Sequence, residues 1–123
     1  MLLVPLVISS CHVDPPTPDL LVYALNRDSV AATVRADAST STVAPCGLYR
    51  QGFFGTGDHE LRVETPSGNR SAAVHSVRGS YATVWYFIGP SGEIVEAKQV
   101  EVSAAVAACR SSGTGALTSP ATP

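Results

Sequence analysis

The residues with which this 123-residue chain could do bond-making or metal chemistry are few: three histidines, three cysteines, and many serines around the dipeptide Asp58-His59. Acyl transfer needs a nucleophile, a base and an orienting acid in contact. Asp58 and His59 beside a serine supply those types, but no Gly-x-Ser-x-Gly elbow presents the serine. His59 and His75 flank the turn at residues 66–68, so a hairpin there sets both near its open end, where they can approach each other. Two ligands do not complete a zinc site, His12 lies far off in a proline-rich stretch, and no C-x-x-C spacing adds more. Glu60 and Glu64 share one strand face, where both are solvated. The pattern therefore points to a chain without catalytic residues, metal or cofactor. The alternative is a small secreted hydrolase or metal-dependent enzyme using His59 and His75.

Charge excludes another class. Eight basic against ten acidic side chains leave a net charge of −2, and the arginines are scattered singly, so there is no basic stripe for a phosphate backbone. Nucleic acid is not an expected partner. Only 15% of residues are charged, against about 25% in an average soluble domain, while ten glycines and nine prolines supply turns. The length suits one domain with one core.

Residues 1–8, MLLVPLVI, form an apolar run much shorter than the roughly 20 residues of a membrane-spanning helix. Small residues follow it, as in a secretory signal. The segment Ile8-Ser9-Ser10-Cys11 resembles the lipobox of bacterial lipoproteins, and the resemblance implies cleavage before Cys11, its diacylation, and a cell-envelope address outside the cytoplasm. Residues 1–10 are then the signal, and residues 11–19, with HVDPPTPD, an extended tether. The competing reading makes residues 1–11 an ordinary apolar first strand with Cys11 a small buried hydrophobe.

Three cysteines leave one unpaired in a secreted chain. With Cys11 acylated, as the resemblance implies, Cys46 and Cys109 remain as the pair. In a cytosolic chain both would instead stay reduced and buried.

These residues need elements to position them. From Leu20 onward, short β-favouring runs alternate with turn signals about every 8 to 14 residues, which predicts an all-β fold: a single antiparallel β-sandwich of about seven short strands over residues 20–109. Residues 20–26 and 30–36 are strands, 37–42 a polar loop, and 43–54 a broken or bulged strand. Residues 59–65 alternate cleanly and turn at Thr65-Pro66-Ser67-Gly68 into a strand over 72–78. Residues 81–88 are apolar on both faces, with Tyr81, Trp85 and Phe87 on one side, and so form a central strand. Gly89-Pro90-Ser91-Gly92 repeats the turn and returns the chain as 94–102. Residues 110–123 are small, polar and aperiodic, the composition of a disordered tail.

Such a strand set resembles the small immunoglobulin-like and transthyretin-like sandwiches of bacterial envelope proteins, with residues 57–63 matching their Gly-x-h-x-Leu-x-Val hairpin. That resemblance implies a fold and no activity. The most unusual local feature is residues 51–58, QGFFGTGD, two phenylalanines enclosed by three glycines. Adaptable backbone and large contact area suit a recognition loop with Phe53 and Phe54 as anchors. The alternative is that one ring plugs the end of the sandwich. The expected protein is a lipid-anchored binding or accessory module of the envelope, joined to the membrane through its anchor and contacting an envelope protein or polymer.

Overall fold

A computed structural model describes residues 16–111. The chain is mostly β, with strands β1 (Leu20–Asn26), β2 (Ala32–Ala36), β3 (Ser39–Val43), β4 (Leu48–Phe53), β5 (Gly57–Thr65), β6 (Gly68–Ser76), β7 (Ala82–Ile88) and β8 (Ile94–Ala97), followed by one helix, α1 (Gln99–Ser111). The expected signal, Cys11 and most of the tail lie outside the described residues.

Two four-stranded sheets stack around one core. The first has the order β4-β1-β7-β8 and the second β3-β2-β5-β6. Their inner faces meet through Leu20, Val22, Ala24, Phe53, Tyr86 and Ile88 from the first sheet and Ala32, Val34, Ala36, Leu61, Val63 and Val74 from the second. The period of two along each strand explains this sorting: in β5, Leu61 and Val63 are buried while Glu60 and Arg62 are exposed.

Four differences from the sequence expectation have physical reasons. First, the fold is not purely antiparallel, because β1 and β7 pair in parallel with Leu20 opposite Ala82 and Asn26 opposite Ile88. Both are near-continuous apolar runs, LLVYALN and ATVWYFI, which is how strands covered on two faces read. Second, residues 37–42 are not a loop: Asp37, in the left-handed region at φ 52°, turns the chain into β3, a polar strand at the edge of its sheet.

Third, β4 is regular from Leu48, since the irregularity of this segment is confined to the turn at Cys46, whose φ is 65°. Fourth, the strand expected over 94–102 stops at Ala97, and Gln99–Ser111 is helical. Its alanines favour helix, the Glu101 carboxylate accepts the Lys98 N–H at its start, and Arg110 stands in its last turn. Arg110 and Ser111, assigned by composition to the tail, close that helix.

α1 contacts β7. Val102 on the helix and Leu25 on β1 are both fully buried yet stand outside the core between the sheets. Leu25 follows Leu21 and Tyr23 on the outward side of β1, beside β7, the strand that α1 contacts. A disulfide between Cys46 and Cys109 ties the end of α1 to the turn before β4, with Cα atoms 5.9 Å apart.

Candidate functional site

The two histidines of interest are not brought together. Register places His59 opposite Val74 and His75 opposite Asp58, so His59 points between the sheets and His75 points outward. His75 forms a 2.6 Å contact with Asp58 on the exposed side of the hairpin, where an ion pair contributes little. Among the described residues no group of three His, Cys, Asp or Glu side chains is placed to hold a metal ion.

His59 instead stands between an acid and a hydroxyl that sequence order does not connect. Its Nδ1 is 2.9 Å from Asp37 Oδ2, and its Nε2 is 3.3 Å from Ser76 Oγ. The connectivity is that of a Ser-His-Asp triad. Two observations separate it from one. Ser76 is only 1% exposed, so its oxygen cannot reach a carbonyl carbon in solution. Its single proton is donated to the Gly55 carbonyl oxygen, whereas a triad needs that proton on the histidine. The arrangement fixes the His59 ring against Phe53, 4.4 Å between centroids, and ties the β2–β3 turn to β5 and the β4–β5 loop. Its members form a structural relay at one end of the sandwich. Nearby, burial and then the Asp37 carboxylate push the Tyr49 phenol up to about 12.

That same end carries the exposed aromatics. Phe53 and Phe54, expected as paired anchors, part company: Phe53 is 3% exposed and packs in the core, while Phe54 is 56% exposed. Alternation along an extended chain sends adjacent side chains opposite ways, so both could not serve as surface anchors. The second exposed ring comes from elsewhere. Tyr81 is 61% exposed and lies just before β7, not within it. Its φ is 49°, a left-handed conformation that a bulky side chain occupies at a cost of about 1 kcal/mol. Sequence offered no sign of this, since YATVWYFI reads as an unbroken strand.

Asp19 holds these loops. Placed in the tether by its prolines, it is buried and ties three segments together. Its backbone N–H donates to the Phe53 carbonyl and its own carbonyl accepts from Ala82 N–H and the Ser80 hydroxyl. Its carboxylate accepts the N–H groups of Gly79 and Gly55. Both glycines have φ of +81°, where the absence of a Cβ removes the strain. Those bonds, Gly79 first and then Gly55, with a smaller contribution from Arg78, hold the Asp19 carboxyl below its usual 3.8 despite burial. The Arg78 backbone N–H also donates to Thr56 Oγ1, joining the loops on either side.

Beside Tyr81 a groove of about 380 Å³ opens over the outward side of the first sheet, lined by Pro16, Pro18, Leu21, Arg50, Tyr81 and Thr83, among others. Farther along that side, Tyr23 and Trp85 stack at 4.2 Å, and the Arg27 guanidinium lies over the Phe87 ring at 4.6 Å. The outward side of the second sheet differs in kind, with Arg35 paired to Glu64 and Arg62 near Glu60.

No family model and no curated protein matches the chain. Among solved structures, one from Bacteroides uniformis, described as a "putative carbohydrate binding protein", is similar with 16% identity and a TM-score of 0.30, over 57% of this chain and 40% of its own. This chain thus spans less than half of that protein, and a likeness of that degree bears on neither ligand nor activity.

Proposed function

We propose that this protein is a non-catalytic binding or accessory module of the cell envelope, anchored through acylated Cys11, with the Phe54 and Tyr81 end as its contact surface. The single observation that carries the choice of surface is Tyr81. A large ring kept exposed in a left-handed conformation, on a loop pinned by a buried carboxylate, is an arrangement that packing does not require. Loops held rigidly by a sheet scaffold are where recognition commonly resides, and exposed aromatics are common anchors. Support for the anchor is the Ile8-Ser9-Ser10-Cys11 pattern together with the disulfide, a bond that oxidising compartments permit.

Metabolic labelling with an alkyne fatty acid tests the anchor: label is expected on the natural chain and absent from Cys11→Ser, and equal labelling of both overturns it. The hydrolase alternative is favoured by one observation, the Asp37, His59 and Ser76 connectivity. A fluorophosphonate probe decides it. No adduct is expected on the folded protein, and an adduct lost in Ser76→Ala would establish catalysis.

A further inference from the structure

We infer that the partner of the Phe54 and Tyr81 surface is the lipid bilayer itself, so that this end of the sandwich rests in the headgroup region beside its own anchor. The inference depends on the reading of Cys11 as the acylated residue. Chain length carries it first. Eight residue steps separate Cys11 from Asp19, and even fully extended they reach at most about 28 Å. Asp19 is bonded to Phe53, Gly55, Gly79 and Ala82, so the polypeptide enters the fold at the end bearing the exposed rings. The loops at the other end, past Asn26, lie a further seven-residue strand away, on the order of 20 Å. The anchor therefore keeps the Phe54 end within about 28 Å of the membrane, while the other end can stand roughly 20 Å farther out.

The chemistry of the surface agrees. Phe54, Val77 and Tyr81 are all substantially exposed there, and Pro16 and Pro18 line the adjoining groove. Tyrosine favours the membrane interface because its ring is apolar and its hydroxyl stays hydrated. Arg78 lies on the same loop, with its guanidinium close to Gly55, and Arg50 lines the groove, so two cations flank the rings where anionic headgroups would meet them. Of the acids nearby, Asp19 is buried, whereas Asp37 and Asp58 are exposed and contact His59 and His75. Rigidity adds to this: the loops carrying the rings are bonded to one carboxylate, so little order remains to be imposed on contact.

The test uses the full, acylated chain reconstituted in vesicles of phosphatidylethanolamine and phosphatidylglycerol, some carrying bromine in the upper acyl chain. Single reporters Phe54→Trp and Tyr81→Trp are read against the natural chain, whose lone Trp85 supplies the baseline, and Val30→Trp reports the opposite end. All three replaced residues are exposed, so the core is not disturbed. Brominated lipid is expected to quench the added emission of the first two by roughly half, as for rings at headgroup depth, and to leave that of Val30→Trp unchanged. Quenching of Phe54→Trp and Tyr81→Trp no greater than that of Val30→Trp, in chain whose intact mass shows acylation, overturns the bilayer contact alone. A mass showing no acylation instead brings down the anchor reading beneath it. A reporter that stays unquenched on vesicles but shifts when a lipid-free envelope protein extract is added assigns the surface to a protein and also overturns the inference.

Discussion

A buried polar side chain gathers the loops at each end of this sandwich, and the two ends differ in what that side chain is. At the end carrying Phe54 and Tyr81 it is the Asp19 carboxylate, accepting from two glycine N–H groups. At the other end it is the Asn26 amide, fully buried, whose Nδ2 donates to the carbonyls of Val30 and Val43 and whose Oδ1 accepts from Asp28 N–H. Beside Asn26 the fold adds a covalent bond: the Cys46 N–H donates to the Asn26 carbonyl, and Cys46 is joined to Cys109. One end is thus locked by groups indifferent to acid, and the other by a charge. A titratable tie suits loops that present residues outward, while the locked end secures the helix.

The largest effect expected from breaking this contrast is at the locked end. Cys46→Ser with Cys109→Ser releases a loop spanning 63 positions and is expected to destabilise by about 4 kcal/mol, read as a lower urea midpoint. Asn26→Ala should follow at about 2 to 3 kcal/mol, because it strands the buried Val43 carbonyl together with the part-buried Val30 carbonyl and Asp28 N–H. Since Asn26 and Cys46 are bonded neighbours, the combined variant should lose less than the sum. Full additivity would show the two ties to be independent.

The charged end is separated by pH. The folded Asp19 carboxyl sits below its ordinary 3.8, so its contribution is complete above that value and is lost as pH falls through the lower folded one. The melting temperature of the natural chain should therefore drop on acidification below about pH 4. Asp19→Asn should melt lower at neutral pH and show a flatter decline. Parallel declines in both proteins would remove Asp19 from the acid response.

The smallest effect belongs to Tyr81→Gly. Relief of the left-handed strain and the greater freedom of glycine in the unfolded chain oppose each other, so stability should change by no more than about 0.5 kcal/mol. Retained stability in that variant, by the same urea titration, would leave the ring free for a role other than folding.

Sequence made much of the frame legible, and particular residues show where it stopped. The β5–β6 hairpin was visible because Leu61 and Val63 alternate with charge and Pro66 sets the turn; the structure pairs Thr65 with Gly68 there, with Thr65 Oγ1 bonded on both sides. The mostly-β character in two sheets and the Cys46 pairing with Cys109 also agree, while the helix does not. The parallel pairing of β1 with β7 was not legible, since two apolar runs carry no mark of direction and the whole second sheet intervenes. α1 was readable in principle from its alanines and its Glu101 and Arg110 ends, but Val100 and Val102 alternate with Gln99 and Glu101 and conceal the change of period. Asp19 was hidden by its prolines, and the contact of His59 with Asp37 and Ser76 by separations of 22 and 17 residues that only pairing closes.

The disulfide bears on how the protein answers a pull. The chain enters at Asp19 and Cys109 is fastened to Cys46, so tension applied across the two flanks passes from Cys46 directly to Cys109. Everything between those cysteines is shunted out of the mechanical path. Only residues 20–45 can pay out under load, an extension of at most about 90 Å, while β4 to β8 stay within a covalent ring. A module held at a membrane and drawn from its other end would stretch by that length and then stop.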